Sequence, residues 1–242
     1  MKKICNVSVL ILFLFLSLVS CEIDNYDGPD ASFSGSVVDA STGELVGTDL
    51  LNGSTIRAYE LGWAALTAQT WVIKNTGEFQ NDMVFAGRYN LEFKDGNFYP
   101  FNMDNFEIKK GGNTYDFEVT PYIRVKNANI THDVTNKKIV ATFSLEGGKP
   151  EVLVNSIRLY AFTDMYVGEQ IKFDTKGDGF KQDFSPGKTI DGTVYTLTID
   201  LEENADLFKY SRSYYFRIGA LASVPNVGTI RHNYASLVVI AL

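Results

Sequence analysis

Past residue 21 the chain has no cysteine, because the only two, Cys5 and Cys21, fall near its start. Disulfides, cysteine-ligated zinc and thiol nucleophiles are thereby excluded from the remainder, and any fold there is held by burial and hydrogen bonding alone. Histidine is almost as scarce: His132 and His232 stand far apart, and neither has the spaced second ligand that a metal site needs. Basic runs are missing too. The 22 Lys and Arg are outnumbered by 29 Asp and Glu, giving a net charge of −7. A phosphate backbone calls for a basic face, so nucleic acid is not an expected partner. No Gly-x-Ser-x-Gly elbow, phosphate loop or dinucleotide fingerprint occurs, so no cofactor and no metal is expected and the chain reads as non-catalytic. A glycosidase-like pair of carboxylates, which is defined by spatial separation rather than by sequence, is the one route back to an enzyme.

Long apolar runs are also lacking, with one exception. Lys2 and Lys3 precede an uncharged, mostly apolar stretch from Ile4 to Val19, and small Ser20 leads into Cys21. The stretch is shorter than the ~20 residues of a bilayer span, and no basic stop-transfer cluster follows it. Leu18-Val19-Ser20-Cys21 resembles a bacterial lipobox. That resemblance implies a cleaved lipoprotein signal peptide over residues 1–20 and a lipidated Cys21. Each buried methylene then adds ~0.8 kcal/mol, so two or three acyl chains give durable anchoring to a membrane. Loss of Lys2 and Lys3 with the leader takes the net charge to −9 over 222 residues. Residues 21–31 form an acidic, turn-rich tether broken by Gly28-Pro29. Glu22, Asp24 and Asp27 read either as a solvated linker or as a segment that resembles the acidic sequence following the lipidated cysteine in surface-exported Bacteroidetes lipoproteins.

From Phe33 onward short alternating runs separated by Gly, Asn and Asp predict strands at 55–60, 69–74, 77–80, 88–93, 105–108 and 114–120. In Arg88–Phe93, Tyr89, Leu91 and Phe93 share one face, and Arg88, Asn90 and Glu92 the other, as in a half-buried antiparallel strand. Pro121 marks a boundary, since it cannot continue a strand ladder. Beyond it Ile139, Ala141, Phe143 and Leu145 share a face, as do Tyr195, Leu197, Ile199 and Leu201. Glu202–Phe208 reads as the only helical turn, and Tyr234–Leu242 as a last strand.

Gly35-x-Val-x-Asp39 with Thr42-Gly43, Asn52-Gly53-x-Thr55, Thr76-Gly77-x-Phe79 and Gly87-x-Tyr89-x-Leu91 resemble the carboxypeptidase-regulatory-like, transthyretin-type sandwich. In that family such residues form the fold and carry no chemistry. Tyr214–Ala220 resembles the F strand of an immunoglobulin or fibronectin III sandwich, with Tyr210 or Tyr214 as its tyrosine corner. The expected fold is therefore all-β, with two tandem sandwiches: transthyretin/prealbumin-like over 32–120 and Ig/fibronectin III-like over 121–242. Lipobox and sandwiches together resemble a two-domain Bacteroidetes lipoprotein family of unknown function associated with starch-utilisation-type glycan import. This implies a lipid-anchored outer-membrane protein of the cell surface, with a polysaccharide or oligosaccharide and outer-membrane transporter components as partners.

Rings suit sugar binding because they stack on apolar C–H faces while amides and carboxylates take the hydroxyls. Trp63 falls in a loop and is a binding candidate, whereas Trp71 falls on a strand and is assigned to the core. Alternation that buries Ile157, Leu159 and Ala161 turns Arg158, Tyr160 and Phe162 to the other face, with Tyr166 in the following loop. Those four complete the candidate ligand-binding set unless another part of the chain covers them. Asn97–Phe101 is expected on the domain interface. Asp174–Gly179 has calcium-loop spacing, but Lys176 stands where an oxygen ligand is needed, so a polar hairpin is expected. Two functions remain open: glycan binding or presentation, and a structural subunit that docks on the transporter without touching sugar.

Overall fold

A computed structural model describes residues 27–242; the leader, Cys21 and most of the tether lie outside the described residues. Those described are built of strands and turns, in two sandwiches. In the first, β1 (Ala31–Asp39) pairs antiparallel with β4 (Glu78–Val84) and parallel with β7 (Gly111–Thr114) and β8 (Phe117–Val119). Facing it is an antiparallel sheet ordered β3 (Ala68–Val72), β2 (Thr55–Glu60), β5 (Gly87–Phe93), β6 (Phe101–Ile108). The alternation of β5 holds, with Tyr89, Leu91 and Phe93 buried and Arg88, Asn90 and Glu92 on the outer side. Between the sheets aromatic rings interlock: Phe33 and Phe79 lie 5.2 Å apart, Phe93 and Phe117 4.7 Å, and core Trp71 and Tyr89 5.7 Å. Gly35 opens the first motif for a packing reason. A Cβ there would lie 1.8 Å from the Tyr115 carbonyl oxygen, where the chain passes from β7 to β8.

The second sandwich packs a three-stranded sheet ordered β13 (Val194–Asp200), β10 (Lys138–Gly147), β9 (Ile123–Asp133) on a five-stranded one. The latter runs β12 (Lys181–Thr189), β11 (Leu153–Phe162), β14 (Ser213–Ser223), with β15 (Asn233–Tyr234) and β16 (Val238–Ala241) both on the far edge of β14. The last run is thus two short strands separated by Ala235–Leu237. Ile139, Ala141, Phe143, Tyr214, Phe216, Ile218 and Ala220 are fully buried in this core. Tyr214 is the tyrosine corner: its hydroxyl donates to the Tyr210 carbonyl at 2.9 Å, while the Tyr210 ring itself is exposed. Glu202–Phe208 is a chain of turns rather than a helix. Buried Asn204 anchors it: its side chain donates to the Asp200 carbonyl at 2.8 Å and accepts from the Lys176 amide at 2.7 Å. Asp174–Gly179 forms no hairpin of paired strands; it lies in the long β11–β12 connection, where Lys176 Nζ pairs with Asp206 at 3.0 Å.

The sandwiches meet end to end through polar groups. Arg217 on β14, only 6% exposed, donates to the carbonyls of Thr48 at 3.2 Å, Asn75 at 3.1 Å and Ala235 at 3.3 Å. Its guanidinium lies 4.1 Å from the centre of the Tyr234 ring. Buried Asp49 accepts from the Tyr234 hydroxyl at 2.7 Å and the Glu169 amide at 3.0 Å. Asn97, as expected, sits at this junction and donates to the carbonyls of Gly47 at 2.8 Å and His232 at 3.1 Å. Its own carbonyl accepts from the Asn233 side chain at 2.7 Å. The Gly96 carbonyl accepts from the Arg231 amide at 2.9 Å, and the Gly96 amide donates to Thr229 at 3.1 Å, a backbone bridge between the two units. Arg124 on β9 grips Asp39 with two hydrogen bonds. In a buried setting each of these groups has a partner, as folding requires.

Removing the corner hydroxyl with Tyr214→Phe leaves the Tyr210 carbonyl short of its donor and should cost about 1–2 kcal/mol in denaturant unfolding. Tyr210→Ala, which removes only an exposed ring and keeps that carbonyl, should stay within about 0.5 kcal/mol of wild type.

Candidate functional site

The structure separates the residues that the sequence nominated. Trp63 is 65% exposed on the β2–β3 hairpin, which turns through Gly62 at φ 105°. Tyr166 is also exposed, but on the β11–β12 connection, where the neighbouring Met165 carbonyl accepts from the Asn75 side chain. Asn75 lies past the far end of β3 from the hairpin. Trp63 and Tyr166 therefore lie off opposite ends of β3. Tyr160 is a correction to the expected exposed face: it is 2% exposed, because the chain after β11 folds back over it and its hydroxyl donates to Glu169 Oε2 at 2.6 Å. The rings of Tyr234 and His232 close its other sides at 6.0 and 6.2 Å. Phe162 is half-buried against Phe173 at 5.3 Å, and Arg158 pairs with Asp183 at 3.1 Å. Alternation named the inward face of β11 correctly, and it missed that both faces are covered.

The outer face of the β3-β2-β5-β6 sheet is better furnished. Strand pairing sets Tyr59 opposite Asn90 and Arg57 opposite Glu92, with Asn102 next across from Glu92. A shift in register between Tyr89 and Leu91 bulges β6 beside Asn90, whose side-chain oxygen accepts from the Asn105 amide at 2.9 Å. Asn105 takes φ 59° there, a conformation Asn tolerates. The result is an open depression of about 320 Å³ bordered by Tyr59, Leu66, Asn90, Glu92, Asn102 and Asp104. Tyr59 donates to Glu92 Oε2 at 3.3 Å, which orients its ring across the face. Arg57 is held aside by Asp95 at 2.9 Å. One ring, one aliphatic side chain, two amides and two carboxylates thus converge on one solvent-facing surface. Leu66, rather than Trp63, borders it. Each strand contributes by the period-2 rule, but their assembly depends on cross-strand register, which no local pattern encodes.

A larger groove of about 480 Å³ runs along the domain junction past Leu45, Asn75, Met165, Arg217, Tyr234 and Leu237. The polar atoms of Arg217 and Tyr234 here are already spent on the junction itself. Burial pushes the Asp39 carboxyl up, but hydrogen bonds from Arg124 and Ser41 and the Arg124 charge outweigh it and hold it at about 2. Burial raises Asp49 despite the Tyr234 hydroxyl, and lowers Arg217. Burial also pushes His232 down to about 4, against the pull of Glu169. Among the described residues no group of three or more His, Cys, Asp or Glu is placed to hold a metal ion.

His232 has a pH consequence. Its folded pKa of about 4 lies below the unfolded 6.5, so between those values the unfolded chain binds more protons and stability falls as pH falls. The His232 contribution lost over that window is at most about 3 kcal/mol. His232→Gln should flatten the slope of unfolding free energy between pH 6.5 and 4 relative to wild type, as read from denaturant titrations at each pH.

No curated protein matches the chain. Two family models do: one described as the N-terminal domain of a protein of unknown function, DUF3823, over residues 31–120, and one described as the DUF3823 C-terminal domain of unknown function over 123–237. A crystal structure from Bacteroides uniformis, described as that of a candidate carbohydrate binding protein, is 54% identical with a TM-score of 0.85, over 89% of this chain and 100% of that one. DUF3823 family proteins from Bacteroides uniformis and Parabacteroides merdae share the fold at 23% and 20% identity, with TM-scores of 0.71 and 0.69. Each match covers 88% of this chain and 100% of the other. With both sandwiches matched in order along the sequence, this chain belongs to the DUF3823 family.

Proposed function

We propose that this protein is a non-catalytic, lipid-anchored outer-membrane surface protein that binds oligosaccharide on the outer face of the β3-β2-β5-β6 sheet. The observation that carries the reading is the depression itself, where the Tyr59 ring and Leu66 offer apolar surface beside Asn90, Asn102, Glu92 and Asp104. A pyranose has the matching chemistry: C–H faces for the ring and equatorial hydroxyls for amides and carboxylates. The open, shallow shape suits one side of a polymer rather than an enclosed small molecule. The description of the Bacteroides uniformis relative as a candidate carbohydrate binder supports the same reading. The transporter-docking alternative looked to a flat apolar patch at Tyr160 and Phe162, and burial of Tyr160 removes that support. Cys21 remains the proposed anchor.

The soluble chain from Glu22 should be retarded by at least one polysaccharide in affinity electrophoresis. Tyr59→Ala and Asn102→Ala should each weaken that binding about ten-fold, equivalent to about 1.4 kcal/mol, while Tyr210→Ala leaves it unchanged. Retardation by no glycan, or full binding by Tyr59→Ala, would contradict the assignment. Metabolic labelling with a radioactive fatty acid should mark the wild-type chain and not Cys21→Ser.

A further inference from the structure

Three turns gather at the end of the first sandwich that faces away from the domain junction. The β2–β3 hairpin is placed there by the Leu61 amide, which donates to the Arg88 carbonyl at 2.8 Å beside the start of β5. The turn after β4 is placed there by pairing of Val84 with Ala31 and by the Ala86 amide, which donates to Asp30 Oδ1 at 2.8 Å. The turn between β6 and β7 is placed there by the Gly111 amide, which donates to the Asp30 carbonyl at 2.9 Å. These turns carry Trp63, Phe85, Lys109 and Lys110, and Met83 stands beside them as the penultimate residue of β4. All three apolar side chains are exposed, Met83 to 71%. Lys110 approaches Asp30 only to 3.8 Å and keeps most of its side chain in solvent.

We propose that this tip rests in the headgroup layer of a lipid bilayer. Asp30, which two of these turns hold through the Ala86 and Gly111 amides, is where the chain enters β1. Eight residues lie between Cys21 and Asp30, and even fully extended the nine steps from one to the other reach no more than about 30 Å. A membrane holding Cys21 therefore lies within that distance of this end of the protein. The chemistry matches. Tryptophan favours the interface because its ring is apolar and its N–H is polar, and lysines on flexible stems reach anionic headgroups. Three apolar side chains, Trp63 and Phe85 on separate turns and Met83 at the end of β4, form points that enter a soft layer, whereas a docking surface for a folded protein is flatter and broader. Trp63 acquires a role that differs from sugar stacking, and the sheet face with Tyr59 stays open to solvent beside the bilayer. The placement rests on the anchor reading of Cys21, and the contact itself is tested without it.

The chain from Glu22, with a hexahistidine tag in place of Cys21, is held on phosphatidylcholine vesicles containing a nickel-chelating lipid and a brominated phosphatidylcholine. Trp71 is buried, so the change in emission comes from Trp63. Expected is a blue shift on attachment and quenching by the brominated lipid, both lost in Trp63→Phe. Met83→Ser with Phe85→Ser should reduce the quenching at least two-fold while thermal unfolding stays as in wild type. Emission and acrylamide access that match the unattached protein would overturn the proposal. A blue shift induced by a polysaccharide in solution, with none on vesicles, would overturn it too and move Trp63 to the glycan site. Because the tag replaces the acyl chains, a failure here is distinguishable from failure of lipidation at Cys21, and neither touches the Tyr59 assay.

Discussion

Arg217 is the point on which the architecture turns. A guanidinium this deeply buried is stable only with its donors paired, and the carbonyls that pair with it come from both sandwiches: Thr48 and Asn75 from the first, Ala235 from the second. Those carbonyls would otherwise be buried acceptors without donors, each costing about 1–3 kcal/mol. Asp49 supplies charge nearby and is itself held by Tyr234 and the Glu169 amide, and Glu169 in turn receives the Tyr160 hydroxyl. The chain of partners therefore runs from the first sandwich, through the junction, to the face of β11. Neither half can withdraw without stranding polar groups of the other.

This explains why the two sandwiches present one long body with distinct ends. The loops after β1, β3 and β5 are consumed by the junction through Asp39, Asn75 and Asn97. The opposite turns are left to whatever the chain meets at Asp30, and the flank of the first sandwich is left for ligand. The acidic Asp39 of the transthyretin-type motif illustrates the same economy. Its ion pair with Arg124 ties the motif of one domain to the first strand of the next.

Much of this was legible in the sequence because it is local. Period-2 patterns gave the inward residues of β5, β10, β13 and β14, and the spacing around Tyr210–Tyr214 located the tyrosine corner. Trp71 in the core and Asn97 at the junction also follow from the sequence, whereas Phe98 and Phe101, expected at the junction with Asn97, pack in the core of the first sandwich. What failed was long-range. The residues that cover Tyr160, Glu169 and His232, are brought in by an irregular connection and by the far end of the chain, so alternation along β11 could not report them. Glu202–Phe208 stays a chain of turns, with the buried Asn204 side chain tied to the Asp200 carbonyl and to the Lys176 amide on a distant connection. The Tyr59 face and the Trp63 tip both exist only through strand register and turn placement. Their residues are scattered across fifty positions and have no motif in common.

The dependence of both sandwiches on Arg217 can be measured directly by calorimetry of wild type and Arg217→Met. The account predicts a single cooperative transition in wild type, and in the variant a loss of about 3 kcal/mol with the transition split in two as the halves unfold separately. A wild-type trace with two transitions, or a variant as stable and as cooperative as wild type, would contradict it.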